Sequence, residues 1–112
     1  MIKKIILKKI ITDDKPGCLV NLNIEEICFD NNINFKPNHT FYLNDLNSNK
    51  SRGNHSNSNA KEMLVCLQGT FDIYLLDKNL EYNFNIKQNE IIYIPNNVWI
   101  EIKNFENCVI IS

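Results

Sequence analysis

Three things are scarce in this chain, and each scarcity closes a class of function. The first is charge imbalance: 12 Lys and Arg stand against 13 Asp and Glu, for a formal net charge of −1. Proteins that grip nucleic acid carry a clustered basic excess, so DNA and RNA are excluded as partners. The second is long apolar stretches. Met1 to Ile11 starts with the positive charge of a secretion signal, but Lys8 and Lys9 interrupt the apolar residues well before a signal length is reached. Nowhere do apolar residues run to the ~20 that a membrane-spanning helix needs, so a cytoplasmic, soluble protein with no membrane partner is the expectation. The third is paired cysteine. Cys18, Cys28, Cys66 and Cys108 are scattered without a C-x-x-C, which argues against dithiol redox chemistry. They read as small core hydrophobes, with a structural disulfide as the competing reading that nothing pointing to export supports.

What is present is enough for one domain, residues 1–112. A chain of 112 residues buries about two-thirds of its unfolded surface, which suffices for a single core. Asn, Ile and Lys are heavily used, so periodicity carries more of the argument than polarity. In residues 2–11 the apolar positions fit helical spacing, whereas the run of isoleucines favours a strand through β-branching; we read a strand. After the turn Asp13-Asp14-Lys15-Pro16-Gly17, a second short strand is expected over Cys18 to Leu22, then a polar connection. His39, Phe41 and Leu43 alternate with Asn38, Thr40 and Tyr42, the period of a strand, within Phe35 to Leu43. Residues 44–61 form an Asn- and Ser-rich tract whose composition is that of a solvated loop.

The second half reads as strand throughout. Met63 to Leu67 and Thr70 to Leu76 are expected to form a hairpin about Gln68-Gly69. Leu80 to Ile86, Ile91 to Pro95, Val98 to Ile102 and Cys108 to Ile111 follow, separated by turn signals at 77–79 and 87–90. Short strands at this spacing predict an all-β fold, a small antiparallel barrel or sandwich.

The tract that composition marks as loop also holds the most informative spacing. His55, Asn57, Glu62 and Gly69 fall on the four positions of the first cupin motif, H-x-H, then E, then G. A lone histidine in a polar loop is more often a surface residue than a catalytic one, but its neighbours change that weighting. Phe41-Tyr42, Arg52-Gly53-Asn54-His55, Leu64-Val65-Cys66-Leu67-Gln68-Gly69 and Val98-Trp99-Ile100-Glu101 resemble the paired aromatics, the R-G-x-H-x-H, the strand that follows, and the V-W-H-E of the WxcM-like sugar 3,4-ketoisomerases. Asp14-Lys15-Pro16-Gly17-Cys18-Leu19 is similar to that family's opening D-x-R-G-x-L turn, with one residue more and without its Arg. The resemblance runs over nearly the whole chain.

It implies a cupin jelly roll, a homodimer exchanging N-terminal strands, and isomerisation of a nucleotide-linked deoxy sugar, dTDP-4-keto-6-deoxyglucose, in glycan precursor synthesis, with no metal and no other cofactor. Moving a carbonyl from C4 to C3 means taking the C3 proton, stabilising an enediol and returning a proton to C4, for which an imidazole is suited by its pKa. The resemblance makes His55 the acid and base, with Tyr42 and Asn57 positioning the oxygens. Arg52 becomes a contact for sugar or diphosphate through its forked donors; Trp99 and Glu62 complete the substrate-binding set. Trp99 is also readable as packing, and Glu62 as a rim residue bonded to backbone. Asn57 stands where the family has a second histidine and Ile100 where V-W-H-E has its own, and an amide bonds an oxygen but takes no proton near neutrality. The metal sites of other cupins use these positions, yet His55, Asn57, Glu62 and Ile100 supply too few good donors. The alternative reading is a barrel that binds a nucleotide sugar, or serves as an accessory module, without turnover.

Overall fold

The structure, a computed structural model, describes the chain apart from residues 12, 13, 38, 39, 41, 47–50, 57–59 and 112, with backbone alone at 44–46, 53, 54 and 106–111. The elements are β1 (Lys3–Ile6), β2 (Lys9–Ile10), β3 (Leu19–Val20), α1 (Ile24–Asp30), β4 (Tyr42–Leu46), β5 (Arg52–Ser56), β6 (Glu62–Asp77), β7 (Leu80–Lys87), β8 (Glu90–Ile94) and β9 (Trp99–Ile111). Seven of them form one antiparallel sheet in the order β1-β8-β6-β9-β4, with β5 also on β9 and β7 also on β6; β2 and β3 make a separate ribbon. The expected all-β architecture is what the chain forms.

The organising element is β6, and here the expected hairpin is corrected. Glu62 to Asp77 is one continuous strand. Its first half pairs with β8 and its second with β7, while β9 runs along both. Leu64 and Cys66 point into the same core as Phe71, Ile73 and Leu75, so the inward set changes from even to odd positions between them. A period-two strand changes faces only by gaining or losing a residue. Gly69, at φ +74°, sits where the register against β9 shifts on both sides of Gln68. One left-handed residue makes a bulge; a tight two-residue hairpin needs a pair of turn residues with its own sharp geometry. The strand bends there and continues.

The same device acts in β9, where two separate strands were expected over 98–102 and 108–111. Lys103 pairs with Asp72 and Glu106 with Thr70, three steps against two. Asn104, at φ 56°, takes up the extra residue, and the inward set passes from Ile100 and Ile102 to Phe105. The anticipated β6–β7 turn is present, with Lys78 at φ 58°, and so is the β7–β8 turn, with Asn89 at φ 67°.

Two apolar clusters result. Ile92 and Ile94 of β8 join the inner core, while Ile91 and Tyr93 face an outer cluster with Leu7, Cys28, Met63 and Val65. Burial on both faces explains the unbroken apolar run of β8. The outer cluster is roofed partly by α1, which stands in the segment read as a polar connection. Asn23 caps it, its side chain accepting from Glu26 N–H at 3.1 Å, and Ile24, Ile27 and Cys28 supply the packed face. Asn23-x-x-Glu26 before apolar residues at helical spacing is a legible helix start.

The N-terminal segment is two short strands instead of one, because Leu7 turns its side chain into the outer cluster and its N–H to the Asn89 carbonyl, 2.9 Å away. Phe35 packs edge-on to Tyr93, but Phe35 to Pro37 is irregular, and among the described residues the strand is Tyr42–Leu46. His39 and Phe41 lie outside the described residues. Cys28 and Cys66 are buried as expected, whereas Cys18 is exposed.

Replacing Gly69 by Ala therefore carries the left-handed penalty of about 1–2 kcal/mol. Urea unfolding should show the lowered midpoint at unchanged slope, and Gly69→Asn should lose less, because Asn tolerates that region.

Candidate active site

Within the Asn- and Ser-rich tract, where composition suggested a loop, Arg52–Ser56 form the strand β5; residues 47–50 and 57–59 lie outside the described residues. Within β5, Arg52 lies opposite Ile102, Gly53 opposite Glu101, His55 opposite Ile100 and Ser56 opposite Trp99, with a register shift between Gly53 and His55. Residues directly opposite in an antiparallel pair share a face, and Ile100 and Ile102 belong to the inner core. Arg52 and His55 consequently both lie on the interior face. Three positions apart in a regular strand, they would oppose each other; the irregularity puts them together.

Glu62 reaches the same face from β6. It pairs with Ile94, another inner-core residue, and is in phase with Leu64 and Cys66. Its Oε1 stands 3.5 Å from His55 Nε2, the two side chains being 22% and 47% exposed. Such a contact is an ion pair when the imidazole is protonated, and its half-exposed setting keeps His55 reachable by a ligand. Below it, Ile100 is 3% exposed, so the position that carries histidine in V-W-H-E supplies an apolar floor here.

The structure thus brings together His55, Glu62 and, about 7 Å along the strand, the exposed Arg52. It does not bring Tyr42 or Trp99 to them. Tyr42 is 71% exposed while its neighbour Leu43 packs on the inner core, which turns Tyr42 outward. Trp99, 38% exposed, lies between inward Val98 and Ile100 and shares the outer face with Ser56. Strand parity is the physical reason in both cases. Asn57 lies outside the described residues. Among the described residues no group of three His, Cys, Asp or Glu gathers as a metal site would require.

Sequence reasoning passed over one polar group, on the outer face of β7, β6 and β9. A groove of about 270 Å³ is lined by Asp72, Tyr74, Asn83, Phe84, Asn85 and Lys103. Its polar groups satisfy one another: the Asp72 carboxylate accepts from Asn104 Nδ2 at 2.8 Å and Asn85 Nδ2 at 2.9 Å. The first and then the second of these bonds hold its pKa below the ordinary 3.8. This is the stitching of three strands, on the face opposite the histidine. The cross-strand register of Asp72 with Asn85 was the signal, unreadable until the pairing is known.

Residues 2–112 match the family described as FdtA: WxcM-like, C-terminal. A relative, the TDP-4-oxo-6-deoxy-alpha-D-glucose-3,4-oxoisomerase of Aneurinibacillus thermoaerophilus, is 33% identical over 109 residues, 96% of this chain and 73% of that protein. Among solved structures, the TDP-quinovose 3,4-ketoisomerase WlaRB of Campylobacter jejuni has a TM-score of 0.81 at 26% identity, covering 98% of this chain and 81% of its own. The 3,4-ketoisomerase QdtA of Thermoanaerobacterium thermosaccharolyticum, as a double mutant in complex with TDP, has 0.79 at 25%, covering 98% and 76%. A dTDP-4-dehydrorhamnose 3,5-epimerase of Bacillus anthracis shares the fold alone, with a TM-score of 0.80 at 10% identity over 98% of this chain and 69% of that one.

The depressed Asp72 acidity has a sign that can be measured. A carboxylate with its folded pKa below the unfolded one stabilises the fold above the unfolded value and loses that contribution as pH falls through the folded value. Urea midpoints followed from about pH 5 to about pH 2 should fall more steeply for the native chain than for Asp72→Asn.

Proposed function

The chain belongs to the FdtA, WxcM-like family of sugar-nucleotide 3,4-ketoisomerases, with a cupin-like jelly roll, and on that footing we propose that it moves the carbonyl of a TDP-linked 4-keto-6-deoxyhexose from C4 to C3. The observation that carries the proposal is the half-exposed His55 on the interior face of the barrel, next to Glu62, in a chain matched by the family from end to end. The oxoisomerase relative and the TDP-bound neighbour support the substrate class.

In the proposed reaction His55 takes the C3 proton, and the C3–H electron pair becomes the C3–C4 double bond as O4 gains a proton. The enediol then collapses the other way: O3 loses its proton, C3 becomes the carbonyl, and His55 returns a proton to C4. Proton transfers balance and no net electrons are exchanged, so the chemistry calls for no redox cofactor. Asn57 and Tyr42 are assigned to the oxygens by family likeness, and Tyr42 would need a rearrangement or a second subunit to reach them. Arg52, on the histidine's face, is the proposed diphosphate contact, a task that suits a planar fork of donors. A nucleotide-linked substrate is consistent with work in the cytoplasm.

With one imidazole, removal and return fall to the same base. In deuterated water, purified protein should place deuterium on TDP-4-keto-6-deoxyglucose, read by NMR, and His55→Asn should slow this by about 10²–10⁴-fold. Substrate labelled at C3 should deliver part of its label to C4 in ordinary water, because the proton stays on one base between the steps. Saturable TDP binding without exchange would instead assign the chain to ligand binding alone.

A homodimer is the proposed assembly. Ile6, Ile10, Ile11 and Leu19 are each at least half exposed, on β1 at the sheet's end, on the β2–β3 ribbon, and, for Ile11, just after β2. Apolar side chains on an open edge call for a covering surface. Sedimentation equilibrium should give twice the chain mass, and Ile10→Asp should shift it toward the monomer.

A further inference from the structure

We infer that Glu62 is a positioning residue for His55, fixing the imidazole's tautomer and orientation, and that it does not bind substrate. The inference rests on the isomerase reading and adds a role to a residue otherwise grouped with the ligand contacts. It starts from direction. Glu62 Oε1 faces His55 Nε2 at 3.5 Å, and an ionised carboxylate only accepts, so the nitrogen facing it is the one that carries hydrogen. A neutral imidazole has one N–H and one lone pair; Nε2–H toward Glu62 leaves the lone pair on Nδ1. In the proposed reaction Nδ1 is then the nitrogen that acts as base.

Anchoring favours the same conclusion. His55 lies on the short β5, paired to β9 across an irregular register, whereas Glu62 opens the strand that pairs with β7, β8 and β9. Glu62 is the more buried of the two, at 22% against 47%. The firm element thus holds the loose one. Of the other charged groups nearby, Lys61 donates to the Asn34 carbonyl at 2.7 Å, and Glu101, opposite Gly53, is on the outer parity. Arg52, opposite Ile102, is the cation on the same face, and Ile94, Ile100 and Ile102 are its apolar described residues. A distance of 3.5 Å is long for a hydrogen bond, but catalytic contacts in ligand-free sites commonly tighten on binding.

The test uses ring-nitrogen NMR and kinetics on the full chain, with His39→Asn to assign the spectrum, since the chain has 2 histidines. His55 in the native chain should be the Nε2–H tautomer. In Glu62→Ala that preference should relax to a mixture, kcat should fall about 10²-fold, and KM and TDP affinity should stay within about twofold. Glu62→Gln, which keeps an acceptor, should restore the tautomer and part of kcat. An Nδ1–H tautomer in the native chain would overturn the inference even if neither variant folds. So would a raised KM at unchanged kcat, which is the mark of a substrate ligand. Absence of C3 exchange in the native chain would refute the isomerase reading and leave the tautomer measurement standing.

Discussion

Everything in this fold hangs on β6 pairing with three strands at once. A strand has two hydrogen-bonding edges; β6 gives one to β9 along most of its length and divides the other between β8 and β7. A straight strand cannot do this and keep its apolar residues inside, because the barrel turns away from it. The bulge at Gly69 resolves the conflict by bending the chain and exchanging odd for even positions in one step. The inner core of Leu64, Cys66, Phe71, Ile73 and Leu75 exists because of that exchange.

The site is built by the same means. Arg52 and His55 share a face through the irregularity between Gly53 and His55, and Glu62 joins them because β6 begins in the inward phase. Catalytic geometry here comes from departures from regular pairing more than from regular strands. That suits a small barrel whose interior is otherwise filled with apolar side chains: polar groups occur at the rim, where they stay hydrated, and the floor under His55 remains apolar.

Much of this was readable from the residues. Alternation and turn signals placed β7, β8 and both flanking turns, the motif spacing singled out His55 and Glu62, and family resemblance added Arg52. The failures share a cause. Gln68-Gly69 reads equally well as a turn or a bulge, and only the partner strand decides between them. Tyr42 and Trp99 were chosen by likeness in the sequence, whereas their alternation with Leu43 and with Val98 and Ile100 sets them on the opposite face once those neighbours are known to point inward. The helix α1 was missed although its cap and its apolar spacing were both present, because the polar residues around it drew more weight than the periodicity.

The outermost strand carries a consequence for biosynthesis. Lys3 of β1 pairs with Tyr93 of β8, a partner far along the chain, and β8 itself leans on β6. Local contacts are few, so loop-closure entropy must be met before most of the sheet is rewarded. On the ribosome β1 has to remain unpaired until β8 has been made. Its lysines, at positions 3, 4, 8 and 9, keep that waiting, isoleucine-rich segment charged and apart from its neighbours.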